Sequence, residues 1–541
     1  MKVEVSIVFR YLYKKLRFMN LKSEKFNDET VEEKSLQPEL SISLKENFNI
    51  LKNILGSSND IIYREFSFGA KMQINAAIIF LEGMTEKAVI NEIIIKPFMY
   101  DSKLCNLESE LEIGNLSIIK NSMLSVGNVK ETVSINELID GCLSGDTIFL
   151  MDGCSEALII HSKGWETRGV EEPKTEAVVR GPREGFCETM ATNMTLLRRK
   201  IKNPNLTFQT MQIGTQTKTS VSIVYLKGVV NPKLIKEINE RLNRINTDAI
   251  LESGYIEQFI EDAPYSLFPT IGNSEKPDTA AAKILEGRAA ILVDGTPFVL
   301  TMPMLFIEGF QSAEDYYSRT FFSSLLRILR FCCFTISVLA PTTYVILSTF
   351  HQELIPTTLL FTMAAGREGV PFPAVMEAGL MVITFEILRE AGVRLPRPVG
   401  QAVSIVGALV IGEAAVSAGL VGGLLVIVVS LTAVSSFVVP VFTDVIAILR
   451  IIFLILGGSL GIFGVGIGLL GVLIHIVSLR SFGTPYLAPL APLSAEDLKD
   501  TFIRTHLWRM STRPRTIGWH NLKRQESNLK PQPPSEEENK D

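Results

Sequence analysis

Apolar positions are spaced in two distinct ways along this chain. From residue 60 to residue 305 they form short runs bounded by glycine, alternating with stretches of helical period. Asn75–Leu81 and Ser220–Leu226 read as strands, and the Ile90/Ile93 and Ile235/Ile238 spacings mark a helix after each. Further along, the charges thin out. Between Pro398 and Leu479 the only formally charged residues are Glu413, Asp444 and Arg450. A segment that apolar cannot face water, and it reads as part of a membrane domain.

The first region repeats itself. Gly69 and Gly83 recur as Gly214 and Gly228, both offset by 145 residues, with an apolar strand before the second glycine of each pair. Leu143–Gly153 recurs as Leu285–Gly295, offset by 142, each copy ending in Asp-Gly. Two blocks at a near-constant offset predict a duplicated α/β unit made of two similar strand–helix subdomains. The boundaries read as an N-terminal extension at 1–44, subdomain 1 at 45–171, a connecting segment at 172–206, subdomain 2 at 207–310, a membrane domain at 311–480 and a tail at 481–541. Asp152 and Asp294 resemble a carboxylate pair, but Asp-Gly supplies the positive φ of a tight turn, and no histidine partner accompanies either.

Span length sets the membrane helices. Phe331–Phe350 is the first candidate. Leu359–Ala365 is too short and is broken by Arg367, Glu368, Pro371 and Pro373, which suits a re-entrant element. Ala374–Leu388 carries Glu377 and Glu386. Val399–Ala418 and Leu420–Val441 follow, and Asp444–Leu479 fits two short crossings broken at Gly457-Gly458. Basic residues flank the region at Arg327/Arg330, at Arg389/Arg394/Arg397 and in the tail from Arg480 to Arg515. That pattern puts the soluble region and the tail on the cytosolic side, joined by an even number of crossings, about six.

Composition narrows the chemistry. The 541 residues carry a net charge of −5, which excludes a strongly basic nucleic-acid binder, and no nucleic-acid partner is expected. The six cysteines form no CxxC pair and the five histidines are scattered, so neither a metal nor another cofactor is expected. Met1–Asn20 is basic with too short an apolar run for a signal peptide, leaving a surface-lying amphipathic helix or an irregular start. No Walker lysine, nucleophile elbow or GxGxxG after a strand is present, so the chain does not read as an enzyme.

Two sets of residues stand out. In the connecting segment, Arg180-Gly181-Pro182-Arg183-Glu184-Gly185-Phe186 fits either an anion-binding turn or a rigid joint whose arginines pair with Glu172, Glu176 or Glu188. In the membrane region, Glu377, Glu386, Glu413 and Arg450 each cost about 2.5–3.5 kcal/mol at mid-bilayer on insertion scales. They must face other helices or water. Internal Glu–Arg pairing and an ion pathway both remain open, with Glu413 the foremost pathway candidate.

The residues also carry a resemblance. EPKTEAVVRGPREGF (172–186), the basic helix Leu196–Lys202, VPFPAVMEAGLMVITFEILREAGVRLPRPVG (370–400), GALVIG (407–412) and PYLAPLAPLSAEDLKDTFIR (485–504) resemble the GerA family of spore germination proteins, and more narrowly its A subunit. Cys187 and His506 replace a more typical threonine and proline. The resemblance implies a multi-pass subunit of a nutrient germinant receptor in the inner membrane of a spore. It implies a homo-oligomer, a pentamer, forming a nutrient-gated cation channel beside a transporter-like B subunit and a lipoprotein C subunit. An accessory channel paralogue and a secondary transporter are the alternatives. On the same resemblance, Glu377, Glu386, Glu413 and Arg450 stand near the ion path, and the 180–186 segment couples soluble halves or adjacent subunits.

Overall fold

The computed structural model describes residues 39–56, 58–69, 74–101, 116, 119–120, 124, 128–164, 172–173, 176, 178–394, 412–494, 496–518, 521–526 and 529–531. Most of the N-terminal extension, and the helix expected at Val399–Ala418 as far as residue 411, lie outside the described residues.

The first subdomain contains helix α1 (Leu44–Leu55), strands β1 (Ile61–Phe68), β2 (Ile74–Leu81) and β3 (Val129–Thr132), helix α2 (Ile135–Leu143), and strands β4 (Thr147–Met151) and β5 (Ala157–Ile160). The second contains α3 (Met190–Lys200), β6 (Leu206–Ile213), β7 (Thr219–Leu226), α4 (Pro232–Asn243), α5 (Ser253–Ile260), β8 (Gly272–Ser274), α6 (Pro277–Leu285), β9 (Ala289–Val293) and β10 (Val299–Met302). The strand orders, β1-β2-β4-β5-β3 and β6-β7-β9-β10-β8, are the same, and every pairing is antiparallel.

Period-two alternation explains the layers. Ala77 and Ile79 of β2 face α1 and α2, while Ala76 and Ile78 face Ile90, Ile94 and Phe98 on the other side. In the second sheet, α3 and α6 cover one face and α4 and α5 the other.

The duplication is carried by turn chemistry. Gly69 and Gly214 adopt φ of 94° and 95°, and Gly83 and Gly228 adopt 85° and 82°. A side chain at these positions would be strained, which fixes glycine at matching places in both copies. Asp152 and Asp294 do more than turn the chain. Asp152 Oδ1 accepts from the Leu44 amide at 3.1 Å and Asp294 Oδ1 from the Met190 amide at 3.0 Å, so each carboxylate meets the first amide of α1 or α3.

The subdomains are joined through a buried ion pair. Arg198 of α3 places Nε 2.9 Å from Asp60 Oδ2 and Nη2 2.7 Å from the same oxygen, and its Nη1 donates to the Asn203 carbonyl at 3.1 Å. Ser58 completes the contact by accepting from the Phe208 amide at 3.0 Å.

Among the described residues seven α-helices follow: α7 (Thr320–Thr349), α8 (Thr357–Arg367), α9 (Ala374–Arg394), α10 (Gly412–Ser417), α11 (Gly423–Phe437), α12 (Thr443–Leu460) and α13 (Ile462–Ser478). Among the described residues, two helices, Thr320–Thr349 and Pro440–Leu460, are long and apolar enough to cross a membrane, with Gly423–Phe437 and Ile462–Ser478 shorter. The expected total of six crossings is therefore not reproduced by helix length and composition.

Two boundaries differ from the sequence pattern. The first span begins at Thr320 rather than Phe331, because Ser323 and Arg327 find partners that keep the extra turns helical. The break expected at Gly457-Gly458 falls at Gly461, which takes φ 60°. Gly457 and Gly458 instead let α12 press against its neighbours. A Cβ on Gly457 would collide with Thr342 Cγ2, and one on Gly458 would meet Val375 Cγ2 at 2.6 Å.

The segment after α13 packs back on the soluble region. It opens with a short hairpin, β11 (Arg480–Ser481) and β12 (Thr484–Pro485). Ser481 Oγ donates to the Thr270 carbonyl at 2.6 Å, the Phe306 amide donates to the Tyr486 carbonyl at 2.9 Å, and Arg513 Nε donates to the Leu285 carbonyl at 2.8 Å.

Helix α5 carries a pH-sensitive carboxyl. Burial, with Glu261 and Glu252 nearby, pushes Glu257 from 4.5 up to about 7. A folded pKa above the unfolded one gives stability that is full below about pH 4.5 and lost as pH rises through about 7. Glu257→Gln is expected to leave the thermal midpoint of the detergent-solubilised protein unchanged at acidic pH and to raise it at alkaline pH. Identical midpoints for both proteins at alkaline pH would contradict this.

Candidate functional site

Three groups of charged and polar residues are positioned to act together, one at each level of the molecule. The first lies where the soluble region meets the helices. Arg327, one turn before Arg330 on α7, is fully buried. Its Nε lies 3.0 Å from Asp315 Oδ2 and its Nη1 2.7 Å from Asp500 Oδ1, and Arg330 Nη1 reaches Asp315 Oδ2 at 2.8 Å. Tyr316 donates to Asp500 at 2.6 Å, and Arg504 Nη1 donates to the Ser318 carbonyl at 2.8 Å. This collar joins the residues before α7, the start of α7 and the C-terminal segment. Sequence reading missed it, taking Arg327 and Arg330 only as topology flanks. The available signal was the i,i+3 arginine pair together with Asp500 in the SAEDLKD stretch.

The second group is the connecting segment. Glu184 lies 3.3 Å from Arg199 and 3.5 Å from Lys200 of α3, and Phe186 is buried beside Leu196 and Leu197. The amides of Arg180 and Phe186 donate to Glu314 Oε1 at 3.3 Å and to the Glu275 carbonyl at 2.7 Å. Gly181, at φ 146°, lies against Tyr317, where a Cβ would come within 2.8 Å of the ring. Tyr317 in turn donates to Asp278 at 2.5 Å, and burial followed by that carboxylate raises its hydroxyl pKa. Arg183 lies 3.8 Å from Glu172, one of the partners expected of a joint, and both side chains are exposed. Pro182 and Gly185 complete the path. The segment thus runs from the core of subdomain 2 to the residues leading into α7.

The third group lies within the helices. Pro341 has no amide to donate to the Ser337 carbonyl one turn earlier in α7. Arg450 of α12 supplies that donor, its Nε 2.8 Å from Ser337 O. Glu386 of α9 approaches Arg450 Nη1 at 3.1 Å and Arg389 at 2.8 Å. Fully buried Glu377 accepts from the Gly422 amide at 2.5 Å, at the start of α11, and lies 3.4 Å from Arg367 at the end of α8. Glu377, Glu386 and Arg450 are therefore each paired within the bundle. Glu413 is not brought to them; it stands exposed on α10. Among the described residues no cluster of three or more His, Cys, Asp or Glu side chains is arranged to hold a metal ion.

Comparison with known proteins bears on what these groups serve. A family model described as "Bacillus/Clostridium GerA spore germination protein" matches residues 49–516. Spore germination protein KA of Bacillus subtilis (strain 168) is 45% identical, covering 91% of this chain and 90% of its own length. Uncharacterized membrane protein YfkQ of the same organism is 41% identical, covering 92% and 96%. A crystal structure of the N-terminal domain of the A subunit of the Bacillus megaterium spore germinant receptor GerK3 aligns at 36% identity and TM-score 0.40, covering 50% of this chain and 98% of that one.

The Pro341–Arg450 geometry makes a quantitative prediction. Arg450→Met removes one of the two cations on Glu386, leaving Arg389, and orphans the Ser337 carbonyl; it should destabilise the protein by about 3 kcal/mol, the lower end for a broken buried pair. Pro341→Ala restores an amide for Ser337, so adding it to Arg450→Met should recover about 1–3 kcal/mol. Denaturant unfolding in detergent, run as a double-mutant cycle, measures both; strictly additive effects would refute the shared carbonyl.

Proposed function

The chain belongs to the GerA family of spore germination proteins, and from that premise we propose that it is the A subunit of a nutrient germinant receptor. On this reading its copies assemble, as a pentamer, in the spore inner membrane into a cation channel that opens when a nutrient engages a transporter-like B subunit. A lipoprotein C subunit completes the receptor.

The observation that carries the proposal is the collar around Arg327. One helix, α7, begins in a network of soluble-region and C-terminal side chains and runs about 45 Å at 1.5 Å per residue into the apolar bundle. A rearrangement of the soluble region therefore has a direct lever on the helices. The 180–186 segment, reaching Glu314 and Tyr317 just before α7, is the coupling element. Large apolar side chains such as Ile427, Val434, Ile455 and Leu470 are exposed on α11, α12 and α13, which supports a lipid setting. The C-terminal segment packs on subdomain 2, which supports both lying on one side of the membrane, the cytosolic one, with an even number of crossings between them.

Within this reading Glu413, exposed and free of the internal pairs, faces the ion path between copies, where a carboxylate attracts cations. Glu377, Glu386 and Arg450 shape the path's wall from inside each copy. A stepwise conductance from purified protein in planar bilayers separates this channel from a secondary transporter, whose flux shows no unitary steps.

Two substitutions test the parts. Glu413→Gln is expected to lower nutrient-triggered cation release from spores by about tenfold at unchanged protein level, roughly 1.4 kcal/mol. Gly181→Val, which drives a side chain into Tyr317, is expected to weaken the nutrient response by a factor of about 5–150, the range of an ordinary allosteric coupling. Wild-type release from Glu413→Gln spores removes the pathway role, and a wild-type response from Gly181→Val spores removes the coupling role.

A further inference from the structure

Subdomain 2 exposes a group of large apolar side chains that no described part of this chain covers. Tyr255 and Phe259 lie four residues apart on α5, away from its buried face of Ile256 and Ile260. Leu251 and Leu267 flank them, and Tyr265 is 99% exposed. A soluble surface rarely leaves aromatic side chains clustered in this way without a partner.

The position of the patch identifies its partner. Ser266, next to Tyr265, bonds His475 Nε2 of α13 at 3.0 Å. Phe268 is buried against Phe306 and Phe442 at the top of the bundle. Asp262 accepts from the Phe482 amide on the hairpin after α13, and Arg241 stacks over the Phe482 ring at 4.4 Å. The patch therefore sits on the rim where α13 leaves the bundle. The outward apolar face of α13, with Leu473, Ile474 and Val477 exposed, runs up to that rim. Exposed Arg244, at the end of α4, lines the same surface depression as Phe259, together with Arg241, Glu237, Glu261 and Asp262.

We propose that this patch is a membrane-interface anchor, with Tyr255, Phe259 and Tyr265 inserted at the boundary between headgroups and acyl chains beside α13. The inference rests on the bundle being embedded in a bilayer. Aromatic rings with a polar tip favour that depth, and a short helix lying in the interface buries its apolar face there. Position beside α13 selects lipid over a second protein: Ser266, next to Tyr265, bonds His475 in the last turn of α13, whose neighbours Ile474 and Val477 are exposed and apolar. Arg244, beside Phe259, suits a headgroup phosphate. Such a contact holds subdomain 2 against the bilayer through residues other than those of the Arg327 collar.

Photocrosslinking in the full-length protein tests it. Benzoylphenylalanine is placed at Phe259, at Tyr265 and, as a control on the outer face of α12, at Ile455, and the protein is irradiated in phosphatidylglycerol-containing nanodiscs. The expected result is a mass increase of one phospholipid at all three positions. A lipid adduct at 455 with none at 259 or 265 overturns the anchor and leaves the membrane reading intact. Chain-to-chain adducts at 259 or 265 overturn it in favour of a second copy. No lipid adduct at 455 overturns the membrane reading and the anchor with it.

Discussion

A buried guanidinium needs an anion for its charge and acceptors for its N–H donors, and this molecule supplies a carboxylate and a backbone oxygen at each of its junctions. Arg198, Arg327 and Arg450 are each no more than 1% exposed. Arg198 meets Asp60 and the Asn203 carbonyl between the soluble subdomains. Arg327 meets Asp315, Asp500 and the Asp500 carbonyl between the soluble region and α7. Arg450 meets Glu386 and the Ser337 carbonyl among the helices. Each combines a carboxylate with a backbone oxygen. Such a pair adds little to stability compared with apolar packing, but it is costly to break on one side, so it fixes which segments touch.

The duplicated subdomains show how far turn chemistry reaches. The constant offsets of Gly69/Gly214 and Gly83/Gly228 were legible because glycine at positive φ is a local requirement. The Asp-Gly turns were legible for the same reason. Their second task was not: Asp152 meets Leu44 across 108 residues and Asp294 meets Met190 across 104. A carboxylate that closes its own turn and also receives a distant helix leaves the same sequence trace as one that only turns.

The helical region divides along the same line. Its apolar runs and the internal position of Glu377, Glu386 and Arg450 followed from charge spacing. The pairing did not, because Arg450 and Glu386 are 64 residues apart and Ser337 is 113 from Arg450. A reader of the sequence could note that Pro341 frees a carbonyl, but not which cation takes it. The C-terminal segment misled for a related reason. Its prolines and mixed charge look like a tail, whereas Tyr486, Asp500 and Arg504 are structural partners of residues 306–327.

These arrangements constrain how a signal could travel under the channel reading. Arg327 and Ser337 are on one helix, ten residues or about 15 Å apart. Between them α7 is continuous and transmits rotation as a rod; at Pro341 a backbone hydrogen bond is missing and the rod is weakest. Arg450 braces that point from α12, and Glu386 ties the brace to α9. A collar that turned α7 would load the Ser337–Arg450 contact along with the Phe334–Phe442 packing before it. Releasing that contact alone would leave a buried carbonyl and a guanidinium N–H unpaired, so the helices must exchange it for a second set of partners rather than simply open. Two discrete packings rather than a graded bend are what this chemistry favours, and under the channel reading they would supply the two states of a gate.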